Sequence, residues 1–173
     1  MLDFIKSEIH LIVESCPSLA LSHIQVEDLE HLRQWKNDHR EFFFYQEQIS
    51  VDEQNRWYES FMNRPYDLML TVEYDGEAIG CMGIRWEVNH WDVYNLILGK
   101  RIFGKKGLMS KSFLRMLLYA HSIKPASITL KVLKSNPAIT WYERQGFQIT
   151  DEHEDFYSMK YVNKFSSPRR QKL

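Results

Sequence analysis

The chain reads as an α+β domain: a mixed, mostly antiparallel sheet with helices on both faces. Three observations predict it. The middle of the chain carries strand-like segments around Asp75-Gly76, a pair that favours a tight hairpin because both residues tolerate positive φ. Helical periodicity flanks this β-rich region, over residues 25–38 and 50–62 before it and 108–121 after it. Finally, residues 130–147 read as a strand, a tight switch, a short helix and a second strand.

Taken in order, residues 9–13 form a short apolar run expected to be extended. Pro17 interrupts it, and residues 19–24 are a second strand. Val26, Leu29, Leu32 and Trp35 recur at near-helical spacing, which predicts an amphipathic helix over 25–38. Residues 40–45 form a dense aromatic loop with Phe42, Phe43, Phe44 and Tyr45. Ser50 opens a second helix and Glu53, three residues later, completes a capping box. Trp57, Tyr58, Phe61 and Met62 make that helix's apolar face. Strands follow at 68–74 and 78–86, residues 89–92 form a loop, and 93–98 is the next strand. Leu108, Phe113, Met116, Leu117 and Ala120 give the helix at 108–121 its apolar face. Residues 128–133 are a strand. Asn136 then caps a helix, Pro137 takes its first position, and Gly146 ends it in a left-handed conformation. Phe147 restarts a strand, and 156–161 completes the sheet.

At 173 residues the chain buries one sizeable core and is too short for two ordinary domains. We expect a single domain over 1–162 and a flexible basic tail over 163–173, with Lys164, Arg169, Arg170 and Lys172. A net charge of -1 gives no global field for nucleic acid or an anionic membrane. Cys16 and Cys81 make neither a disulfide framework nor a zinc spacing. His90 has no second ligand at usable distance, so no metal is expected. Neither a signal segment nor an apolar run of membrane-spanning length is evident, and the expected location is cytoplasmic.

After the strand at 93–98 comes Gly99-Lys-Arg-Ile-Phe-Gly104-Lys-Lys-Gly107-Leu-Met-Ser110 and then the long helix. A strand, a Gly-rich turn and a helix N-terminus suit a phosphate, because the first-turn amides are free and the helix dipole favours an anion. Lys105 and Lys106 add positive charge.

The run Asn136-Pro-Ala-Ile-Thr-Trp-Tyr142-Glu-Arg-Gln-Gly146-Phe147 resembles the C-terminal motif of the GNAT acyltransferase superfamily. That motif reads Asn, a small residue, an apolar pair, Tyr, Glu, Lys or Arg, any residue, Gly, Phe. The element order matches the family layout over nearly the whole chain. The family's phosphate loop reads Gln or Arg, two residues, Gly, one residue, then Gly or Ala; here Gly107 agrees, while Gly104 and Met109 depart from it. Met109 either hinders a diphosphate or points aside.

The resemblance implies an acetyl-CoA-dependent N-acetyltransferase in which an amine attacks the thioester directly. Acetyl-CoA would lie between the strands 93–98 and 128–133, along Leu96, Ile97 and Leu98. Its diphosphate would rest on Gly107, Leu108, Met109 and Ser110, beside Lys105 and Lys106. Asn136 and Tyr142 would face the thioester, with Tyr142 serving the leaving thiolate. Glu87 and His90 are candidate bases, with Glu73, Asp92 and a water chain also open. Trp35, Arg40, Phe43 and Tyr45 would receive the acceptor, a small-molecule amine. The Trp-Lys-Asn run at 35–37, Arg40 and the later Trp57 helix resemble family members that acetylate nucleotide-linked amino sugars. They are also similar, less specifically, to ribosomal-protein N-terminal acetyltransferases. A protein or peptide N-terminal acetyltransferase and a non-catalytic CoA-binding module stay open. So does a homodimer, since the aromatic loop could pack on a second subunit.

Overall fold

The computed structural model describes residues 6–163; the basic tail expected from residue 163 lies outside the described residues beyond Asn163. Strands β1 (His10–Val13) and β2 (Cys16–His23) lead through a 3-10 turn at Val26–Asp28 into α1 (Leu29–Asp38). A second 3-10 turn, Arg40–Phe42, precedes α2 (Val51–Met62). Then come β3 (Asp67–Tyr74), β4 (Glu77–Glu87), β5 (His90–Leu98), α3 (Leu108–Ile123), β6 (Ile128–Leu133), α4 (Ile139–Arg144), β7 (Phe147–Glu152) and β8 (Phe156–Tyr161). The eight strands join in the order β1-β2-β3-β4-β5-β6-β8-β7. Each neighbouring pair is antiparallel except β5 and β6.

Helices cover both faces, as the two sets of apolar stripes require. On one side α3 buries Leu108, Phe113, Met116 and Leu117 against Ile84, Trp91, Val93 and Leu130. On the other, Leu32 and Trp35 of α1 and Phe61 of α2 pack on Met69, Cys81 and Ile97. Met62, expected on the apolar face of α2, is 40% exposed.

Three boundaries differ from the sequence reading. Pro17 lies inside β2, at its start, where the register against β1 jumps from Ala20 to Cys16. Its missing N–H is tolerated there because pairing with β3 begins only at Leu19. The helix expected from residue 25 begins as a 3-10 turn over Val26–Asp28, capped by Asp28 Oδ2 accepting from the Gln25 amide at 2.9 Å, and becomes α-helical at Leu29. The loop expected at 89–92 shrinks to Val88 and Asn89, and β5 starts at His90. Trp91 drives this difference. It is fully buried, edge-on to Trp86 at 5.3 Å, and its Nε1 donates to the Lys124 carbonyl at 2.9 Å.

Lys6 fastens the far end of α2. Its ammonium donates to the carbonyls of Phe61 at 2.6 Å, Asp67 at 3.0 Å and Arg64 at 3.2 Å. A cation is favoured there by the negative end of the helix dipole.

Candidate active site

The site begins where two parallel strands part. β5 and β6 pair only over Trp91↔Ile128, Asp92↔Thr129 and Val93↔Leu130. β5 then bulges against β4: Tyr94 faces Gly83 and Ile97 faces Cys81, so two residues, Asn95 and Leu96, oppose Met82. Asn95 takes φ +47°, the left-handed region that Asn adopts more readily than most residues. A bulge bends its strand and re-aims the side chains around it. β6 meanwhile stays paired with β8 to its end at Leu133↔Phe156. A cavity of about 980 Å³ opens between the diverging strands, bounded by the start of α3, the segment leading into α4, and the α1–α2 loop.

At one end lies the turn into α3. Gly107 is left-handed, φ +73°, and has open space where a side chain would start. The helix's first internal bond runs from the Lys111 amide to the Gly107 carbonyl at 3.1 Å. The amides of Leu108, Met109 and Ser110 therefore precede it and have no acceptor within the helix. Arg101, Lys105 and Arg144 line this end. Lys106 turns away, its ammonium 5.1 Å from the Phe103 ring. Met109 packs part of its side chain on the core and also lines the cavity.

In the middle lies the α4 segment. Asn136 Oδ1 accepts from the Ala138 amide at 2.8 Å. This turn delays the helix, so α4 starts at Ile139 and not at Pro137. Asn136 Nδ2 also donates across the cleft to the Phe42 carbonyl at 3.3 Å, tying the aromatic loop to the α4 segment. Tyr142 is 8% exposed and packed edge-on against Trp141, Phe147 and Phe113. It lines the cavity, and burial pushes its phenol pKa well up. At neutral pH the hydroxyl is a donor.

The opposite side is walled by Phe43, Phe44, Tyr45 and Trp57. Phe44 sits edge-on to Phe156 of β8 with centroids 5.4 Å apart. Asp92 lies on the sheet face opposite Trp91 and Val93, because neighbouring strand residues alternate. Its carboxylate accepts from Arg85 at 3.0 Å, and Arg85 also pairs with Glu87 at 3.0 Å. Burial raises the Asp92 pKa above the ordinary 3.8, partly offset by Arg85. The Arg85 guanidinium lies 4.8 Å over Tyr94, whose hydroxyl donates to Asp67 at 2.5 Å. Lys36 and Lys131 also line this side.

The cavity thus brings together Tyr142, Asn136, Leu96, Ile97, Leu98, Lys105, the 107–110 turn, Phe43 and Tyr45. Other expected residues lie outside its lining. Trp35 is 8% exposed in the core, and Arg40 is exposed on its 3-10 turn. Glu87 and His90 face each other at the turn end of β4 and β5, before the strands part. Lys36, Trp57, Arg85 and Lys131 enter instead. Asp92 enters too, in preference to Glu87 and His90. Of the candidate bases read from the sequence, Asp92 is the one that lines the cavity, since alternation from the buried Trp91 and Val93 turns it to the other face. Among the described residues no group of three or more His, Cys, Asp or Glu could hold a metal ion. No helix among them is long and apolar enough to cross a membrane.

The family profile described as an acetyltransferase (GNAT) domain matches residues 18–148. No curated protein matches the chain significantly. Solved structures do. Spermidine N-acetyltransferase from Vibrio cholerae, in complex with CoA and spermine, is 20% identical with a TM-score of 0.71, over 83% of this chain and 94% of that one. The PaiA N-acetyltransferase from Thermoplasma acidophilum, in complex with coenzyme A, is 19% identical with a TM-score of 0.66, over 84% and 99%. RimL, a ribosomal L7/L12 alpha-N-protein acetyltransferase in an apo crystal form, is 16% identical with a TM-score of 0.69, over 92% and 97%. At these identities the likeness is one of fold.

Proposed function

The chain belongs to the GNAT acetyltransferase family, N-acetyltransferases with acetyl-CoA as acyl donor, and we propose that its acceptor is the amino group of a nucleotide-linked amino sugar. The observation that carries the acyl-transfer reading is the parting of β5 and β6 beside the free amides at the start of α3. The left-handed Gly107 and the cations Arg101, Lys105 and Arg144 fit a diphosphate. Coenzyme A in the PaiA and spermidine acetyltransferase structures is consistent with that fit.

Acetyl-CoA supplies the thioester carbonyl that an amine attacks. Leu108, Met109 and Ser110 would hold the diphosphate through their amides. Leu96, Ile97 and Leu98, on the edge of β5 that has lost β6, would hold the pantetheine arm. That backbone edge also presents donors to a carbonyl oxygen gaining charge. As the new C–N bond forms, Asp92 takes the amine's proton. As the C–S bond breaks, Tyr142 donates a hydrogen bond to the departing sulfur. Asn136 orients the α4 segment that carries Tyr142 through its bonds to Ala138 and Phe42.

Electrostatics supports an anionic acceptor. Lys36, Arg85 and Lys131 line the side opposite the α3 turn against one carboxylate, Asp92; Arg85 is paired with Asp92 and Glu87, so Lys36 and Lys131 carry the net positive charge there. A polyamine or a cationic peptide end would meet like charge there. A phosphate would not, and the faces of Phe43, Phe44, Tyr45 and Trp57 suit a base or a sugar. The phosphate-binding role expected of Arg40 passes to Lys131, while Lys36, bonded to Asn95, adds only to the local positive field.

The test is acetyl-CoA consumption against amino sugar nucleotides, polyamines and peptide N-termini. Amino sugar nucleotides should turn over fastest. Faster turnover of a peptide or of spermidine would replace the acceptor, and no calorimetric binding of acetyl-CoA at millimolar concentration would end the acyl-transfer reading. In the same assay Tyr142→Phe should lower kcat about 10- to 100-fold at unchanged acetyl-CoA affinity, the loss of one modest transition-state contact. An unchanged kcat would make the hydroxyl a bystander.

A further inference from the structure

Three consecutive residues of α1 reach three different parts of the cavity's frame. Trp35 lies flat against Gly99, at the exit of β5. Asn37 pairs with the Ile49 backbone, donating to its carbonyl at 3.0 Å and accepting from its amide at 2.8 Å, and so anchors the far end of the aromatic loop. Lys36, between them, donates to Asn95 Oδ1 at 2.6 Å.

Lys36 is a costly residue for this place. It is half-buried and forms no ion pair with any described residue. Burial, with a smaller contribution from the nearby Arg85, holds its pKa down at about 8. An apolar side chain would fill the space without that desolvation. What the ammonium does make is a short, charge-assisted bond to the bulged residue of β5. Asn95 is the residue with φ +47° at the point where β5 leaves β6. Its backbone carbonyl is held separately by Cys81 Sγ at 3.6 Å. The left-handed conformation is unfavourable for a residue with a Cβ, so it persists only where the surroundings enforce it.

We infer that Lys36 is a positioning residue for acyl transfer: through Asn95 Oδ1 it holds the β5 bulge left-handed and so aims the strand's unpaired backbone edge into the cleft. The inference rests on the acyl-transfer reading above. It assigns the Trp-Lys-Asn run to framing the site, with Lys36 setting its geometry.

The test is a mutant cycle with two readouts. Lys36→Met should lower kcat about 10- to 100-fold, the effect of a small misplacement in the reacting geometry, with acetyl-CoA affinity changed less than threefold. Asn95→Gly, which adopts φ +47° without help, should stay within about threefold of the parent chain. Adding Lys36→Met to Asn95→Gly should then cost little more. If Lys36→Met costs the same factor in both backgrounds, the ammonium acts directly on a substrate and the positioning role is overturned. Amide hydrogen exchange is the second readout. Residues 94–98 should exchange faster in Lys36→Met and not in Lys36→Arg, which keeps the donor. Unchanged exchange in Lys36→Met overturns the inference whatever the activity. Faster exchange in Lys36→Met, together with a parent chain that turns over no acceptor, counts against the acyl-transfer reading alone. Should Lys36→Met not fold, Lys36→Gln replaces it in both measurements.

Discussion

Asp92→Asn should lower kcat about 100- to 1,000-fold, the usual worth of a positioned general base, with acetyl-CoA affinity little changed. The carboxylate must be deprotonated to accept the amine's proton, so activity should fall as pH drops through its pKa. Burial raises that pKa, so the acid limb of kcat against pH should lie above that of an ordinary aspartate, and the variant should lack it. The substitution does not strand Arg85, which keeps Glu87 at 3.0 Å, so the fold should survive and the loss reports chemistry. A variant with the parent's pH profile would remove Asp92 from the mechanism and return the role to a water chain.

Gly99→Ala should strongly destabilise the fold. A Cβ there would fall well inside 3.0 Å of Trp35 Cε2 and Cδ2, closer than packed atoms approach. The backbone cannot retreat readily, because the Gly99 and Lys100 amides both donate to the Ile79 carbonyl, at 2.9 and 3.0 Å. Nor can the indole, which is 8% exposed in the α1–α2 core. Overpacking of this kind costs about 3 kcal/mol, which in a chain of this size lowers Tm by roughly 6–12 °C. Urea unfolding measures it. Trp35→Phe, added to Gly99→Ala, should recover part of the loss by removing the ring that the Cβ meets. A loss below about 1 kcal/mol would show that Trp35 is not seated on β5 as described.

What was legible in the sequence was local. The Asp75-Gly76 turn has both residues at positive φ, +51° and +78°, which neighbouring residues alone dictate. The Ser50–Glu53 capping box forms both of its bonds, at 3.2 and 2.8 Å. Gly146 is left-handed at φ +99°, and Tyr142 faces the cavity from the helix that the motif implied. The turn, the capping box and the left-handed Gly146 depend on chain partners within a few residues, so residue type and spacing suffice; for Tyr142 the motif gave the helix, not the cavity around it.

Tertiary structure decided which side chains share the cleft. Asp92 and Arg85 meet because β4 and β5 pair in one register. A one-residue slip would turn Asp92 to the α3 face, since strand side chains alternate. The same register leaves Glu87 and His90 at the paired end of the strands, away from the opening. Lys36 reaches Asn95 across 59 positions of chain only because α1 packs on the face where β5 bulges. Trp35, read from sequence as an acceptor contact, is instead core, because the flat face of Gly99 lies against it. Local propensity and spacing determine turns, caps and the motif's own helix. Register, the bulge and helix docking are long-range choices set by how the whole core packs, and they determine which charges face the acceptor.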